Sequence, residues 1–268
     1  MKVEEKMDMK QGHWVLAKLG KRVLRPGGLE LTRIMLDNLH INASDDVVEF
    51  APGLGLTAQI TLSRNPKSYT AVEINREAAA KFRERITSER VKQVIADAAE
   101  TGLDEGSADV VVGEAMLTMQ GEKANRAIIS EAVRLLAPGG RYAIHELAVQ
   151  PDDIDEELHT RIRQDLARAI HVNARPLTCE QWAELLEECG LVVETIQTAP
   201  MALLDFSRNV RDEGFVQTLR IIRNVLSDRE LRARVLGMRR TFRTYQDSMC
   251  GVTIVARKPL EGNTNDAQ

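Results

Sequence analysis

A carboxylate followed by closely spaced glycines is the part of this sequence best suited to bind a nucleotide or nucleoside. Glu49 ends an apolar run, and Gly53 and Gly55 follow it in a short loop. Glycine tolerates left-handed backbone conformations and lets a ligand approach the main chain closely. A helix that starts after the loop turns its unpaired N–H groups toward that ligand. Residues 46–56 therefore predict a buried strand, a ligand-binding loop and a helix start.

The loop is compatible with more than one ligand. Its spacing Gly53-x-Gly55-x-x-Ala58 fits the fingerprint of dinucleotide-binding folds, which implies NAD. Glu49 favours S-adenosylmethionine instead, because a carboxylate repels a pyrophosphate and attracts an ammonium and a sulfonium. The remaining interpretation is a glycine turn that binds nothing.

Two more acids stand where later strands should end. Residues 68–74 and 91–95 are strand-like runs, and Glu73 and Asp97 lie at or just beyond their ends. Glu73 comes 18 residues after Gly55, a position from which a carboxylate can accept hydrogen bonds from both hydroxyls of a ribose. NAD and S-adenosylmethionine both carry that ribose, so Glu73 does not separate them.

Motifs in a fixed order resemble those of class I S-adenosylmethionine-dependent methyltransferases. Residues 49–55 resemble the first motif, E/D-x-G-x-G-x-G, with Ala51 in place of its first glycine. Residues 103–114 resemble the segment D-x-S-F-D-x-V, with Ala108 in place of the aromatic residue. Residues 134–141 resemble the turn R-x-L-x-P-G-G-x that leads into the fifth strand, which is expected over residues 142–147. The most similar subgroup is the small-molecule enzymes that include the ubiquinone and menaquinone biosynthesis C-methyltransferases.

This resemblance implies a fold, a cofactor and a set of binding residues. The expected fold is an α/β, Rossmann-like, seven-stranded and mostly parallel sheet with helices on both faces, an antiparallel last strand and helical insertions. The expected cofactor is S-adenosylmethionine, with Asp97 accepting from the adenine amino group and the backbone N–H of Ala98 serving a ring nitrogen. The implied cofactor-binding residues are Glu49, Ala51, Gly53, Gly55, Glu73, Ile74, Asp97, Ala98 and Glu114.

The methyltransferase domain is expected over residues 45–258, with further segments at each end. Within residues 1–44, amphipathic patterns predict helices over 13–23 and 29–39, and helices ahead of the first strand are expected to cover the cofactor. Residues 259–268 have the composition of a disordered tail.

Two stretches exceed the minimal fold, at about 152–174 and 200–248, and both have helical periodicity. In the second, helices are predicted over about 214–226 and 228–246, and arginines are frequent. This insertion could be a solvated helical face, a homodimer contact, or a lid over the acceptor pocket that favours an anionic acceptor.

The sequence does not identify a catalytic base, and methyl transfer needs one only when the acceptor must lose a proton. The candidates near strand ends are Glu114, His145 and Glu146, and His171 from the first insertion is another. For His145, which lies within a strand, a packed or exposed side chain without a catalytic role is the alternative. Residues 112–117 lack the D/N-P-P-Y/F motif used on exocyclic amines of bases or on glutamine side chains, so a small-molecule acceptor is expected.

Composition limits the partners and the location. With 43% hydrophobic and 28% charged residues, the chain has an ordinary globular composition, and its net charge of -4 argues against a nucleic-acid partner. Its three cysteines have no metal-ligand spacing, and no apolar run reaches 18 residues, so we expect no metal, no membrane span and a cytoplasmic location. An NAD-linked oxidoreductase and a non-catalytic S-adenosylmethionine-binding protein stay open as alternatives.

Overall fold

The computed structural model describes residues 25–201 and 228–260, and these form one sheet with helices packed on it. The strands are β1 (Asp46–Phe50), β2 (Ser68–Val72), β3 (Val91–Val94), β4 (Ala108–Glu114), β5 (Leu136–Val149), β6 (Leu177–Thr178), β7 (Val192–Pro200) and β8 (Met249–Arg257). The helices are α1 (Gly28–Asn38), α2 (Leu56–Leu62), α3 (Arg76–Arg85), α4 (Glu122–Leu135), α5 (Glu156–Ile170), α6 (Cys179–Glu188) and α7 (Arg229–Thr244). A single 3-10 turn, Leu117–Met119, follows β4.

The sheet order is β3-β2-β1-β4-β5-β8-β7, which confirms the predicted fold class. Strands β1 to β5 pair in parallel, whereas β8 pairs antiparallel with both β5 and β7. The two-residue strand β6 pairs with the end of β5 and makes the strand count eight rather than the predicted seven. A strand this short carries no periodic sequence signal, so it could not be predicted.

Strand residues bury both faces of the sheet. Val47 packs with α1, α2 and α3 on one face, and its neighbour Val48 packs with α4 and α6 on the other. This follows from the alternation of side chains along a strand. Helices on both faces are what a parallel sheet requires, and they explain why these strands are nearly continuous apolar runs.

A third apolar cluster lies beyond the main sheet core, where β5 extends past β4. Leu147 and Val149 pack there with Leu166 of α5 and with Met238 and Phe242 of α7. Both predicted insertions therefore contribute a helix whose apolar side packs at the same end of the sheet.

The largest boundary error concerns β5, which was expected over residues 142–147 but begins at Leu136. The Pro138-Gly139 turn lies inside that strand, where a register shift against Ala108–Val110 accommodates it. The predicted helices over 13–23 and 214–226, and residues 261–268 of the predicted tail, lie outside the described residues. Within the described ranges, no helix is long and apolar enough to span a membrane.

Candidate active site

Several of the predicted site residues gather at the carboxyl end of β1, where the direction of strand succession reverses. Strand β1 pairs with β2 on one side and with β4 on the other. Ligands of open α/β sheets bind at such a point, because the loops that leave the two neighbouring strands diverge and open a crevice. Glu49, Glu73 and Glu114 all reach this crevice from three adjacent strands.

The loop after β1 has the backbone conformation that its glycines suggest. Gly53 and Gly55 have φ angles of 55° and 78°, both in the left-handed region. A Cβ added to Gly55 would lie 3.0 Å from Cγ1 of Ile86, so the loop also packs closely on the chain behind it. Ala51 is left-handed as well, with φ of 49°, which costs an L-residue roughly 1–2 kcal/mol. The glycine of the family motif would adopt this conformation without that cost.

Glu73 links the loop after β1 to the loop after β2. Its carboxylate accepts a hydrogen bond from the backbone N–H of Asn75 at 2.9 Å and further bonds from the N–H groups of Ile74 and Gly53. Burial raises the pKa of this carboxyl, and the backbone hydrogen bonds oppose the rise. The neighbouring Ile74, also a predicted cofactor-binding residue, is 59% exposed and does not line the cavity beside Glu73.

Asp97 and Ala98 lie at the edge of the site rather than in it. Asp97 is exposed, and its carboxylate accepts a hydrogen bond from the backbone N–H of Ala99 at 2.9 Å. Ala98 packs, like Ala51, against the apolar cluster under α4 and α6. Neither residue lines the central cavity, so their expected roles toward an adenine stay predictions.

A buried polar cluster surrounds Glu114 at the end of β4. Its Oε1 accepts from Thr32 and His145, both at 2.6 Å, and its Oε2 accepts from Arg25 and Thr57. Arg25 also donates to both threonine hydroxyls. These four donors occupy about all the lone-pair positions that a carboxylate offers.

Glu49 and Glu114 are neighbouring acids that the site holds in opposite states. Burial disfavours the charge of Glu114, but the positive charge of Arg25 and the hydrogen bonds outweigh burial and lower the pKa of this carboxyl. Glu49 is also buried, receives one hydrogen bond from the Tyr69 hydroxyl at 2.5 Å and stands near the negative Glu114. Burial therefore raises the pKa of Glu49 to about 8.

Neither of the two candidate histidines, His145 and His171, presents a free nitrogen at the centre of the site. Nδ1 of His145 faces the Glu114 carboxylate and its Nε2 faces the carbonyl oxygen of Pro26, so neither nitrogen offers a free lone pair to a substrate. His171 is exposed at the C-cap of α5, and its side chain does not line the cavity, although Ile170 and Val172 do. A histidine base is therefore not assembled among these residues.

One continuous cavity of about 370 Å³ runs from the glycine loop to the third apolar cluster. Beside the loop, its wall consists of Ala51, Gly53, Leu54, Glu73, Asn75 and Ala78. Glu114, Ala115, Met116, Thr118, Met119 and Glu146 form its middle. Its far end is an apolar chamber formed by Leu147, Leu166, Ile170, Val172, Ala174, Met201, Met238 and Phe242. A second recess of about 110 Å³ beside the loop contains Arg25, Glu49, Thr57 and Glu114.

This arrangement suits an organic cofactor. The cavity has a loop with left-handed glycines, a buried carboxylate beside it and a smaller recess with two acids and a cation, which match the ribose and the amino-acid end of S-adenosylmethionine. No group of three or more histidine, cysteine or acidic side chains within residues 25–201 and 228–260 could hold a metal ion.

Comparison with known proteins decides the family. Residues 48–144, which contain the glycine loop, Glu73, Asp97 and Glu114, match a family model described as a methyltransferase domain. The chain belongs to the class I S-adenosylmethionine-dependent methyltransferases. This methyltransferase is also 31% identical over 242 residues to an uncharacterized protein of Haemophilus influenzae. The aligned region covers 88% of this chain and 92% of that protein. Its cofactor is S-adenosylmethionine rather than NAD.

Solved structures share the fold of this methyltransferase at low sequence identity. The [4+2]-cyclase SpnF matches with a TM-score of 0.69 and 18% identity, over 94% of each chain. Phosphoethanolamine N-methyltransferase 2 of Haemonchus contortus, in complex with phosphomonomethylethanolamine and S-adenosylhomocysteine, matches with a TM-score of 0.70 and 17% identity. That match covers 94% of this chain and 59% of the other. These likenesses establish the fold alone.

Sequence reasoning missed several residues of the methyltransferase site. No motif or spacing in the sequence assigns a site role to Arg25, Thr32 or Thr57. The signal that could have found Arg25 is chemical, since a buried acid at the end of β4 requires a cation nearby. The apolar residues of α5 and α7 were recognised as helical stripes, but nothing in their spacing says that they enclose a chamber.

Proposed function

We propose that this methyltransferase transfers the methyl group of S-adenosylmethionine to a small, mainly apolar molecule bound in the chamber between β5, α5 and α7. The observation that carries this proposal is the continuity of the cavity, which joins the glycine loop to the chamber without an intervening wall. A donor at the loop and an acceptor in the chamber would therefore meet near Ala115 and Met116, which line the middle of the cavity.

The residues at the loop end fit the cofactor group by group. We assign the ribose to Glu73, the main-chain approach to Gly53, the adenine edge to Asp97 and Ala98, and the ammonium to Glu49. When bound, S-adenosylmethionine supplies an electrophilic methyl group on a sulfonium, so the protein needs no further cofactor for the chemistry.

The chain contributes position and exclusion of water rather than proton transfer. Holding two reactants in line at contact distance can supply roughly 7–11 kcal/mol of a barrier. Glu114 and Glu146, the acids at the middle of the cavity, are each engaged by four hydrogen bonds and have no lone pair free for a proton. This favours an acceptor that is already nucleophilic. The resemblance to quinone-biosynthesis C-methyltransferases provides one hypothesis for the identity of this acceptor.

Calorimetric titration with S-adenosylmethionine, S-adenosylhomocysteine and NAD⁺ tests the cofactor end. We expect micromolar binding of the first two ligands and none of NAD⁺. Turnover of radiolabelled cofactor against a panel of neutral and anionic acceptors tests the rest, with neutral apolar compounds expected to be labelled. Binding without any turnover across the panel would favour the non-catalytic alternative.

The chamber end can be followed without knowing the acceptor. The neutral fluorophore N-phenyl-1-naphthylamine should bind the wild-type protein with increased emission. Met238→Trp should block that binding because Met238 is buried and lines the chamber. Equal fluorophore affinity in both proteins would contradict an apolar chamber at this position.

A further inference from the structure

The stretch that leaves β4 forms a side wall of the cavity at its middle, where the two ends join. Glu114, Ala115, Met116, Thr118 and Met119 all line it. Ala115 has a φ of 52°, a left-handed conformation that an alanine adopts only when its surroundings impose it. The position of this wall therefore depends on the contacts that hold it.

Two neighbouring residues of β5 supply those contacts, one on each face of the sheet. The imidazole of His145 forms a hydrogen bond with the Glu114 carboxylate. The backbone carbonyl oxygen of His145 accepts a hydrogen bond from the Ala115 N–H at 2.7 Å. Glu146 points to the opposite face, as the alternation along a strand requires. There its carboxylate contacts residues 116–118, which follow Ala115.

Glu146 binds this part of the wall through four hydrogen bonds. Its Oε1 accepts from the backbone N–H groups of Met116 at 2.9 Å and Leu117 at 2.7 Å. Its Oε2 accepts from the N–H of Thr118 at 3.1 Å and from the Thr118 hydroxyl at 2.7 Å. The side chain is fully buried, so water cannot replace a lost bond. Three successive backbone donors directed at one carboxylate form a rigid concave wall.

We propose that Glu146 is the positioning residue of the acceptor chamber: its carboxylate fixes the main chain of residues 116–118 and thereby sets the affinity for an apolar acceptor, while the cofactor end depends on His145, Glu114 and Arg25. This inference rests on the proposed function. It assigns the two ends of one cavity to two adjacent residues of β5 whose side chains leave opposite faces of the sheet.

The decisive variant is Glu146→Gln, which keeps the size of the side chain. One carboxylate oxygen becomes an NH₂ group, which cannot accept a hydrogen bond, so two of the four bonds are lost. The new NH₂ group then points at groups that are themselves hydrogen-bond donors. The matched control is Glu131→Gln in α4. Glu131 is another buried carboxylate, which accepts from the N–H of Thr101 at 2.9 Å and its hydroxyl at 2.6 Å, but it does not line the cavity.

Both variants and the wild type are titrated with N-phenyl-1-naphthylamine by fluorescence and with S-adenosylhomocysteine by calorimetry. We expect Glu146→Gln to raise the Kd of the fluorophore at least fivefold and to change that of S-adenosylhomocysteine less than twofold. Glu131→Gln should change neither Kd by more than twofold, even if it lowers the urea midpoint equally. Thr118→Val removes the hydroxyl that donates to Glu146 and also accepts from the Leu147 N–H at 3.3 Å, but it keeps the three backbone bonds to the carboxylate. It should raise the fluorophore Kd about threefold and covers the case in which Glu146→Gln does not fold.

Two results would overturn the inference. One is unchanged fluorophore affinity in Glu146→Gln, or in Thr118→Val where only that variant folds. The other is an equal loss of both affinities, which indicates a general structural role. These failures are distinct from a failure of the proposed function, in which the wild-type protein itself would not bind S-adenosylhomocysteine.

Discussion

Cofactor binding should release a proton from Glu49, and the structure sets the size of the effect. In the free protein, burial raises the pKa of Glu49 to about 8, while its neighbour Glu114 is held ionised by Arg25. Glu49 is therefore about 90% protonated at pH 7. An ammonium placed against it would favour the carboxylate and return its pKa toward the ordinary range. Binding at pH 7 should then release about 0.9 proton.

The same linkage makes the affinity depend on pH. The α-amino group of the ligand stays charged below about 7.7–8.0, so the charge of the ligand itself is constant between pH 6 and 7. The ionised fraction of Glu49 grows roughly ninefold over that interval, and the association constant should grow by the same factor. The perturbation that tests this is Glu49→Gln, which removes the titrating group and should leave the affinity constant within about 1.5-fold over the interval.

Calorimetry measures both quantities on S-adenosylhomocysteine. Titrations at pH 7 in phosphate and in Tris, which differ in ionisation enthalpy, give the number of protons released from the difference in observed heat. Glu131→Gln, which removes a carboxylate that Arg134 already keeps ionised, should retain the proton release. Buffer-independent heats and a flat affinity in the wild-type protein would refute the placement of the ammonium at Glu49.

The stability of the free protein should change in the opposite direction. A carboxyl whose pKa is higher in the folded than in the unfolded state stabilises the fold fully below the unfolded pKa. That contribution is lost as pH rises toward the folded pKa. With values of 4.5 and about 8, the free energy of unfolding should fall across this window by at most roughly 1.4 kcal/mol per pH unit. Glu49→Gln should flatten this part of the profile in urea titrations.

Further substitutions test the rest of the cofactor end. Glu73→Ala and Asp97→Ala should each weaken S-adenosylhomocysteine binding by about 1–3 kcal/mol, a loss expected when a hydrogen-bond partner is removed. Unchanged calorimetric affinity in both variants would contradict the assigned pocket. Ala51→Gly should raise the free energy of unfolding by about 0.5 kcal/mol, because relief of the left-handed alanine exceeds the extra entropy of the unfolded chain. Ala80→Gly on the exposed side of α3 should lower it by about 0.5–1 kcal/mol, and equal losses in the two variants would contradict a strained Ala51.

Local sequence signals predicted the sheet and the loop end of the site. An apolar run, an acid at its end and a glycine turn all fall within about ten residues, so Glu49, Gly53 and Glu73 could be assigned to strand ends without knowledge of the rest of the chain. Because parallel strands end at one edge of the sheet, their predicted order already placed these residues together. In the structure, Glu49, Glu73 and Glu114 line the crevice at that edge.

The features that escaped prediction depend on contacts between distant residues. Arg25 reaches Glu114 across 89 positions, and no local pattern marks that pair. His145 and Glu146 were both recognised as polar residues of a strand, but which neighbour each side chain meets depends on the packed structure. The chamber arises only when α5 and α7 meet at the end of β5, although their apolar stripes are visible in the sequence.

The two acids at the reversal point explain physically why this crevice suits a zwitterion better than a pyrophosphate. A pyrophosphate would bring two negative charges beside Glu114, which stays ionised, and the guanidinium of Arg25 is already engaged by that carboxylate and by two threonines. The amino-acid end of S-adenosylmethionine brings one charge of each sign. Its ammonium can ionise Glu49, and because a carboxylate accompanies that ammonium, the amino-acid end as a whole adds no net charge to the crevice. Glu49 can therefore release its proton to pair with the ammonium of the ligand. A dinucleotide has no ammonium and could not form this ion pair.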